Sequence, residues 1–331
     1  MAKTLKDLKV VFMGTPEFSV PVLKSLIDLT NVVLVVSQPD KEVGRKRVLT
    51  PSPVKECALE HNIEVFTPKK IREEYEVVLN HKPDVIITCA YGQIVPKQML
   101  DYPDYGCINI HGSLLPKYRG ASPIQSAIMN GDEVTGITLM YMEEGLDTGN
   151  IIHAKELKIS DDDTYGTLSE KLSLLGRDLL ISTLPKIIEG ENFDIPQNDD
   201  EATHTVKIKR EDERLDFTKT RRKLHNFVRA LNPTPLANIL VNGEEWKIIE
   251  TAIGEEKTGR VGTVTSVNKD SFGILASDGE LLIKRIKVAG KKEMSVKDFF
   301  NGYKKENLLG IEVNKSWVRK KRKELLQMMI F

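Results

Sequence analysis

CINIHGSLLPKYRG, Cys107 to Gly120, decides how this chain is read, and EEGLDTGN, Glu143 to Asn150, completes it. Cys107 to Ile110 is a short apolar run carrying polar residues at alternate positions, Asn109 and His111. Residues two apart on a β-strand project to one side, so Asn109 and His111 point together while Ile108 and Ile110 anchor the strand from behind. Gly112 ends the run, and Pro116 and Gly120 bracket an irregular loop. The second stretch follows the strand-like TGITLMYM and offers Asp147 from a glycine-flanked loop. Alone, a histidine at a strand end usually serves packing, and an aspartate between glycines usually forms a turn. Together, an amide, an imidazole and a carboxylate are the groups that steady an oxyanion and move a proton.

Working outward, LKVVFMG (Leu8 to Gly14), VVLVVSQPD (Val32 to Asp40), NIEVFTP and DVIITCAYG read as buried strands with helical segments between them. Such alternation predicts an α/β fold, a Rossmann-like, doubly wound and mostly parallel sheet with its site at the strand C-termini. Asn109 and His111 lie at such an end. A dinucleotide-binding dehydrogenase is excluded at the first turn, where Gly14 opens GTPEFS in place of GxGxxG. The loop after the second strand, KEVGRKRVLTPSP, sets Lys41, Arg45, Lys46 and Arg47 on the edge where the site opens. Thr164 to Gly190 places Leu168, Leu172, Leu175 and Leu179 on one helical face, a core stripe. The stretch that follows is polar, proline-containing and unpatterned. Residues 1–190 are therefore expected to form the catalytic domain, 191–209 a linker and 210–331 a second domain. In the last, a helix around RRKLHNFVRAL precedes five short strand-like runs, several separated by turns such as Asn242-Gly243 and Asp278-Gly279, which suggests a small barrel. Ser295 to Asp298 opens a final short helix with a capping box.

The 331 residues carry no formal net charge, yet residues 201–331 hold 27 Lys+Arg against 18 Asp+Glu, a net of +9, which leaves −9 for the rest. That asymmetry fits a small-molecule domain joined to one that meets a polyanion. Three cysteines, Cys57, Cys89 and Cys107, form no CxxC pair, which argues against a disulfide framework and for a reducing compartment. No His/Cys/Asp spacing fits a metal. No apolar run reaches membrane-spanning length, and MAKTLKDLK lacks the apolar core of a signal peptide. A cytoplasmic monomer without membrane attachment is expected.

NIHGSLLPKYRG followed by GLDTGNII closely resembles the formyltransferase family that draws its one-carbon unit from 10-formyltetrahydrofolate. FMGTPEFSVPVL, QPDKEVGRKRVLTPSPVK, AYGQIVPK, GASPIQSAIMNGD and AGKKEMSVKDF resemble the branch of that family whose acceptor is an aminoacyl-tRNA. The resemblance spans roughly residues 8 to 310. It implies Asn109, His111 and Asp147 as catalytic residues, 10-formyltetrahydrofolate as cosubstrate, and initiator methionyl-tRNA as acceptor, formylated for translation initiation. It further implies that Ser113, Leu114, Leu115 and Pro116 contact the folate, that Arg45 guides the acceptor end together with Lys41, Lys46 and Arg47, and that the C-terminal barrel is OB-like and binds tRNA. Tyr91 and Gly92 are expected to line the same cleft as the folate segment. Asp147 is expected to hold the His111 tautomer and support its cationic form, or to take the amine proton through water, and Arg119 to pair with an acidic group or with acceptor phosphates. Cys107 shares the strand face, but nothing nearby depresses its pKa, and it reads as packing. Two rivals are a formyltransferase acting on a sugar-nucleotide or phosphoribosyl amine, which has no evident need of a basic loop or barrel, and a non-catalytic RNA-binding protein. The basic run Arg319 to Lys323, in a tail from Lys315 to Phe331, departs from the family pattern and reads as solvated.

Overall fold

The fold is that of a computed structural model, described for residues 4–44, 46–191 and 193–315. The chain forms two compact units. The first takes the described residues up to Ile124, then Glu133–Ile159 and Thr167–Val206; the second takes Gln125–Asp132, Ser160–Gly166 and the described residues from Lys207 onward.

In the first unit the strands are β1 (Lys9–Gly14), β2 (Asn31–Val36), β3 (Lys41–Val43), β4 (Val48–Thr50), β5 (Val65–Phe66), β6 (Val85–Cys89), β7 (Cys107–His111), β8 (Arg119–Gly120), β9 (Val134–Tyr141), β10 (Ile151–Lys158) and β11 (His204–Thr205). Seven of them form one sheet in the order β10-β9-β7-β6-β1-β2-β5. The five from β5 to β7 run parallel, and β9 and β10 add antiparallel strands beyond β7. Val10 to Met13 and Val85 to Cys89 are buried throughout, which is why these strands read as continuous apolar runs rather than alternations. The chain winds outward from β1 through β2 to β5, then crosses back to β6 on the other side of β1. That reversal opens a crevice at the carboxyl ends of the strands. Gly14, the Cys89–Gly92 turn and His111 all lie on that edge.

The stretch read as a linker is not a free connection up to Val206. Residues 193–206 belong with the first unit, where β11 pairs with β8. It lacked a pattern because its hold on the fold is hydrogen bonding, not apolar burial. In the basic stretch after β2, Lys41–Val43 and Val48–Thr50 pair as an antiparallel hairpin of β3 and β4.

The second unit contains β12 (Ala237–Val241), β13 (Glu244–Ile253), β14 (Val264–Val267), β15 (Phe272–Leu275), β16 (Glu280–Val288) and β17 (Met294–Ser295), an antiparallel sheet in the order β12-β13-β16-β15-β14 with β17 on β16. Asn242 and Gly243, at φ +50° and +86°, make the left-handed turn that a two-residue hairpin between β12 and β13 demands. Residues 310–314 close the two free edges on each other. Val264 N donates to Ile311 O and Val313 N to Gly262 O, while Asn314 N donates to Leu240 O and Leu240 N to Asn314 Oδ1. The helix Arg221–Ala230 sends Leu224 and Val228 into the same core as Trp246, Phe272 and Ile286. Ser295 Oγ accepts from Asp298 N at 3.1 Å and caps the helix Val296–Phe299, but the expected capping box is not completed, because the Asp298 carboxylate accepts from Ser295 Oγ at 2.7 Å and not from the Ser295 N–H. Beyond Lys315 the basic tail, including Arg319 to Lys323, lies outside the described residues.

Candidate active site

Asn109 and His111 leave the same face of β7, as the alternation required. The parallel register sets Thr88 of β6 beside Asn109. Thr88 Oγ1 donates to Asn109 Oδ1 at 2.8 Å, which turns the amide so that Nδ2 has no partner among the described residues. An N–H donor with its carbonyl already engaged is oriented before any ligand arrives. The sequence shows Thr88 only as a polar residue in a buried strand; its contact with Asn109 depends on a register that sequence does not reveal.

His111 is 5% exposed. Its Nε2 lies 3.0 Å from the carbonyl oxygen of Tyr118, and a carbonyl can only accept, so Nε2 carries the hydrogen. The tautomer is thus set by the backbone of the following loop, not by Asp147 as expected. Nδ1 of the neutral ring keeps its lone pair and faces Asp147 Oδ2 at 3.6 Å. At that separation the two make no hydrogen bond, and a proton arriving at Nδ1 meets a negative charge at once. Asp147 Oδ2 also accepts from Gly120 N at 2.7 Å. Asp147 itself sits at φ +54°, in the left-handed region. A Cβ at Gly149 would overlap the Tyr141 carbonyl oxygen, so the close approach of this loop to β9 needs glycine there.

The 113–116 segment is tied down from within. Ser113 Oγ donates to Lys117 O at 2.6 Å, Thr138 Oγ1 donates to Ser113 O at 2.7 Å, and Leu115 N donates to Thr138 Oγ1 at 3.1 Å. Ser113 and Leu115 are buried, which leaves Leu114 and Pro116 with open apolar surface. Thr138, on β9, is a second support that sequence reading passed over. Tyr91 differs from expectation: its ring packs with Met13, Ile86, Met99 and Cys107 in the core. Burial raises its phenol pKa, and its backbone carbonyl accepts from Thr15 Oγ1 at 3.0 Å and Gln38 Nε2 at 3.1 Å. Gly92 follows at φ +88°. Burial pushes the Cys107 thiol up to about 12, and its Sγ donates to Met99 O, so a thiolate nucleophile is ruled out. Arg119 is 3% exposed and pairs with Asp199 at 2.8 Å, the acidic partner among its two expected roles.

Lys41, Lys46 and Arg47 stand exposed on the β3–β4 hairpin, and Arg45 lies outside the described residues. Arg47 Nε is 3.7 Å from Glu42 Oε2, a surface pair of little energetic weight. Val43, Val48 and Leu49 are 55%, 58% and 64% exposed, unusual for a free β-ribbon. Among the described residues no group of three His, Cys, Asp or Glu could hold a metal, and no helix is long and apolar enough to cross a membrane.

A doubly wound sheet with amide, imidazole and carboxylate at its carboxyl edge, followed by a separate antiparallel unit, defines a class. Residues 8–184 match the formyl transferase family and residues 207–304 match the formyl transferase C-terminal domain; the chain belongs to this family. It is 45% identical over 305 residues to a methionyl-tRNA formyltransferase of Staphylococcus epidermidis, covering 91% of this chain and 98% of the relative. It is 48% identical over 317 residues to a methionyl-tRNA formyltransferase of Bacillus subtilis, covering 93% and 99%. Among solved structures, the N-formyltransferase from Helicobacter canadensis in complex with folinic acid and dTDP-3-aminofucose matches with a TM-score of 0.62 at 23% identity, over 83% of this chain and 98% of that one. HypX from Aquifex aeolicus in complex with tetrahydrofolic acid matches at 0.60 and 18%, over 89% and 47%. At these identities the two structures speak for the fold.

Proposed function

We propose that this chain transfers the formyl group of 10-formyltetrahydrofolate to the α-amine of methionyl-tRNA, with the initiator tRNA as its acceptor. The observation that carries the chemistry is the pairing of a free, oriented amide donor on Asn109 with an imidazole lone pair on His111, two residues along one strand. An α-amine has a pKa of about 7.7–8.0, and esterification removes the carboxylate that would raise it, so much of the acceptor is neutral and nucleophilic near pH 7. As its nitrogen bonds to the formyl carbon, Asn109 Nδ2 donates to the oxygen that becomes anionic. His111 Nδ1 takes the proton the nitrogen must lose, and the Asp147 carboxylate supports the resulting imidazolium. The same proton is then available to the folate nitrogen as its bond to carbon breaks, so no covalent enzyme intermediate is needed. Leu114 and Pro116 supply apolar surface to a flat pterin, and the 113–116 backbone is already fixed. The hairpin, cationic and bare of apolar cover, suits the unpaired end of an RNA, where phosphates and base faces are both presented.

An acceptor panel tests the reading: charged initiator tRNA, charged elongator tRNA, an amino-sugar nucleotide and a phosphoribosyl amine, each with 10-formyltetrahydrofolate. Formylation of charged initiator tRNA is expected. Turnover confined to a sugar or phosphoribosyl amine would overturn the acceptor assignment and leave the formyl chemistry standing.

A further inference from the structure

Asp147 keeps a left-handed backbone, at φ +54°, which aspartate adopts more readily than most residues but still at some cost. What fixes it arrives from the stretch that reads as a linker. Gln197 Nε2 donates to the carbonyl of Asp147 at 2.9 Å and to that of Gly149 at 2.8 Å. Its Oε1 accepts from Arg119 Nε at 3.0 Å and Nη2 at 2.8 Å. Both amide hydrogens and both oxygen lone pairs are engaged, so the side chain has one orientation. Arg119 is in turn aimed by Asp199, at 2.8 Å from Nη2. A guanidinium this deeply buried, whose acidic partner is 82% exposed, gains little net stability from the pair. Its effect is to orient the glutamine.

The same segment fixes the other end of Asp147. The carboxylate accepts from Gly120 N, and β8, which contains Gly120, pairs with β11 through Arg119–His204 and Gly120–Thr205. Tyr118, whose carbonyl sets the His111 tautomer, donates its N–H to Thr203 Oγ1 at 2.8 Å. Residues 197–205 therefore tie together the Asp147 backbone, the Asp147 carboxylate and the loop that holds His111.

We infer that Gln197 is a positioning residue for formyl transfer: oriented by Arg119, it sets Asp147 against His111 Nδ1. This rests on the proposed formyl transfer. The test is kcat and KM on charged initiator tRNA for Gln197→Leu and Gln197→Glu, with folate affinity and thermal stability measured on the same preparations. Glu keeps acceptors for Arg119 but turns a lone pair toward the Asp147 and Gly149 carbonyls, so both variants lose the two donor bonds. A fall in kcat of about 10–100-fold is expected, with folate affinity and the KM for tRNA within about twofold. Gln197→Leu placed in an Asp147→Ala background should lower kcat hardly further, because the two act through one group. A purely structural glutamine would lower thermal stability and leave turnover per folded molecule normal. Wild-type kcat in Gln197→Leu, or a fully additive loss in the double variant, overturns the inference, and Gln197→Glu decides in the same way if the leucine variant does not fold. A wild-type protein inactive on charged tRNA would instead remove the proposed function, and the inference with it.

Discussion

Asn109 stands at the smallest scale on which the proposed chemistry can be tested. If Nδ2 serves a developing oxyanion, Asn109→Ala lowers kcat by roughly 10²–10³ with substrate affinities little changed; normal turnover with reduced stability would make the residue structural. Thr88→Val keeps the shape of the strand and removes only the donor that fixes the amide. One neutral hydrogen bond, about 1 kcal/mol, corresponds to about a fivefold loss in kcat. A steady-state comparison of Thr88→Val with Thr88→Ser, which retains the hydroxyl, checks it: Ser should stay near wild type. Asn109, His111 and Asp147 were legible in the sequence because strand alternation and a glycine-flanked turn are local properties. Thr88, Tyr118 and Gln197 were not, because their parts depend on register, on a backbone carbonyl and on a contact across fifty positions. Tyr91 misled for a related reason: an aromatic residue after a strand looks like a cleft wall until the core claims its ring.

The barrel strands illustrate the same division at the level of elements. Their apolar runs and the Asn242-Gly243 turn were readable, whereas the closure by 310–314 was not, since those residues join the two edges by a few hydrogen bonds without strand periodicity. Asn314 is the key to that closure. Its amide serves Leu240 N through Oδ1 and Leu215 O through Nδ2, each at 2.8 Å, and its φ is +59°. Asn314→Ala leaves a buried donor and a buried acceptor unpaired in a backbone that disfavours alanine, and should destabilise the second unit by roughly 2–4 kcal/mol; denaturant unfolding measures it, and a loss below about 0.5 kcal/mol would contradict the closure. In the helix Arg221–Ala230, burial chiefly, then the charges of Arg229 and Arg222, depress the His225 pKa from 6.5 to about 4. The folded state resists protonation, so the unfolded chain binds the proton first. Stability is full above about pH 6.5 and declines as pH falls toward 4. Replacing His225 by Gln, which can keep the bond to Thr251 Oγ1 but does not titrate, should flatten that part of the pH–stability curve; an unchanged slope would assign the acid sensitivity elsewhere.

For the molecule as a whole, the +9 balance of residues 201–331 predicts a salt-dependent grip on RNA. Taking the duplex DNA slope as a guide, each phosphate neutralised contributes about 0.9 unit to the log–log dependence of affinity on salt. Binding of tRNA should weaken steeply between 50 and 200 mM salt while folate binding changes far less; equal responses would count against a polyanion partner. A piece ended at residue 206 keeps Thr203 N on the Pro116 carbonyl and β11 on β8 and should bind folate, whereas one ended at residue 190 lacks both and should bind it weakly or not at all. Calorimetry on the two fragments decides the matter, and equal affinities would show the 197–205 segment to be dispensable. The division of the chain also limits recombination between relatives. Met129 packs against the core of the barrel unit, and Arg229 Nη1 donates to the carbonyls of Ser160 at 3.1 Å and Asp163 at 2.8 Å, all within the second unit yet encoded inside the span of the first. A chimera spliced only at residue 207 would import a barrel without the segments it folds against, leaving a buried cation facing foreign backbone. Cassette exchange is therefore closed to this architecture, and a workable hybrid has to transplant three separate stretches at once.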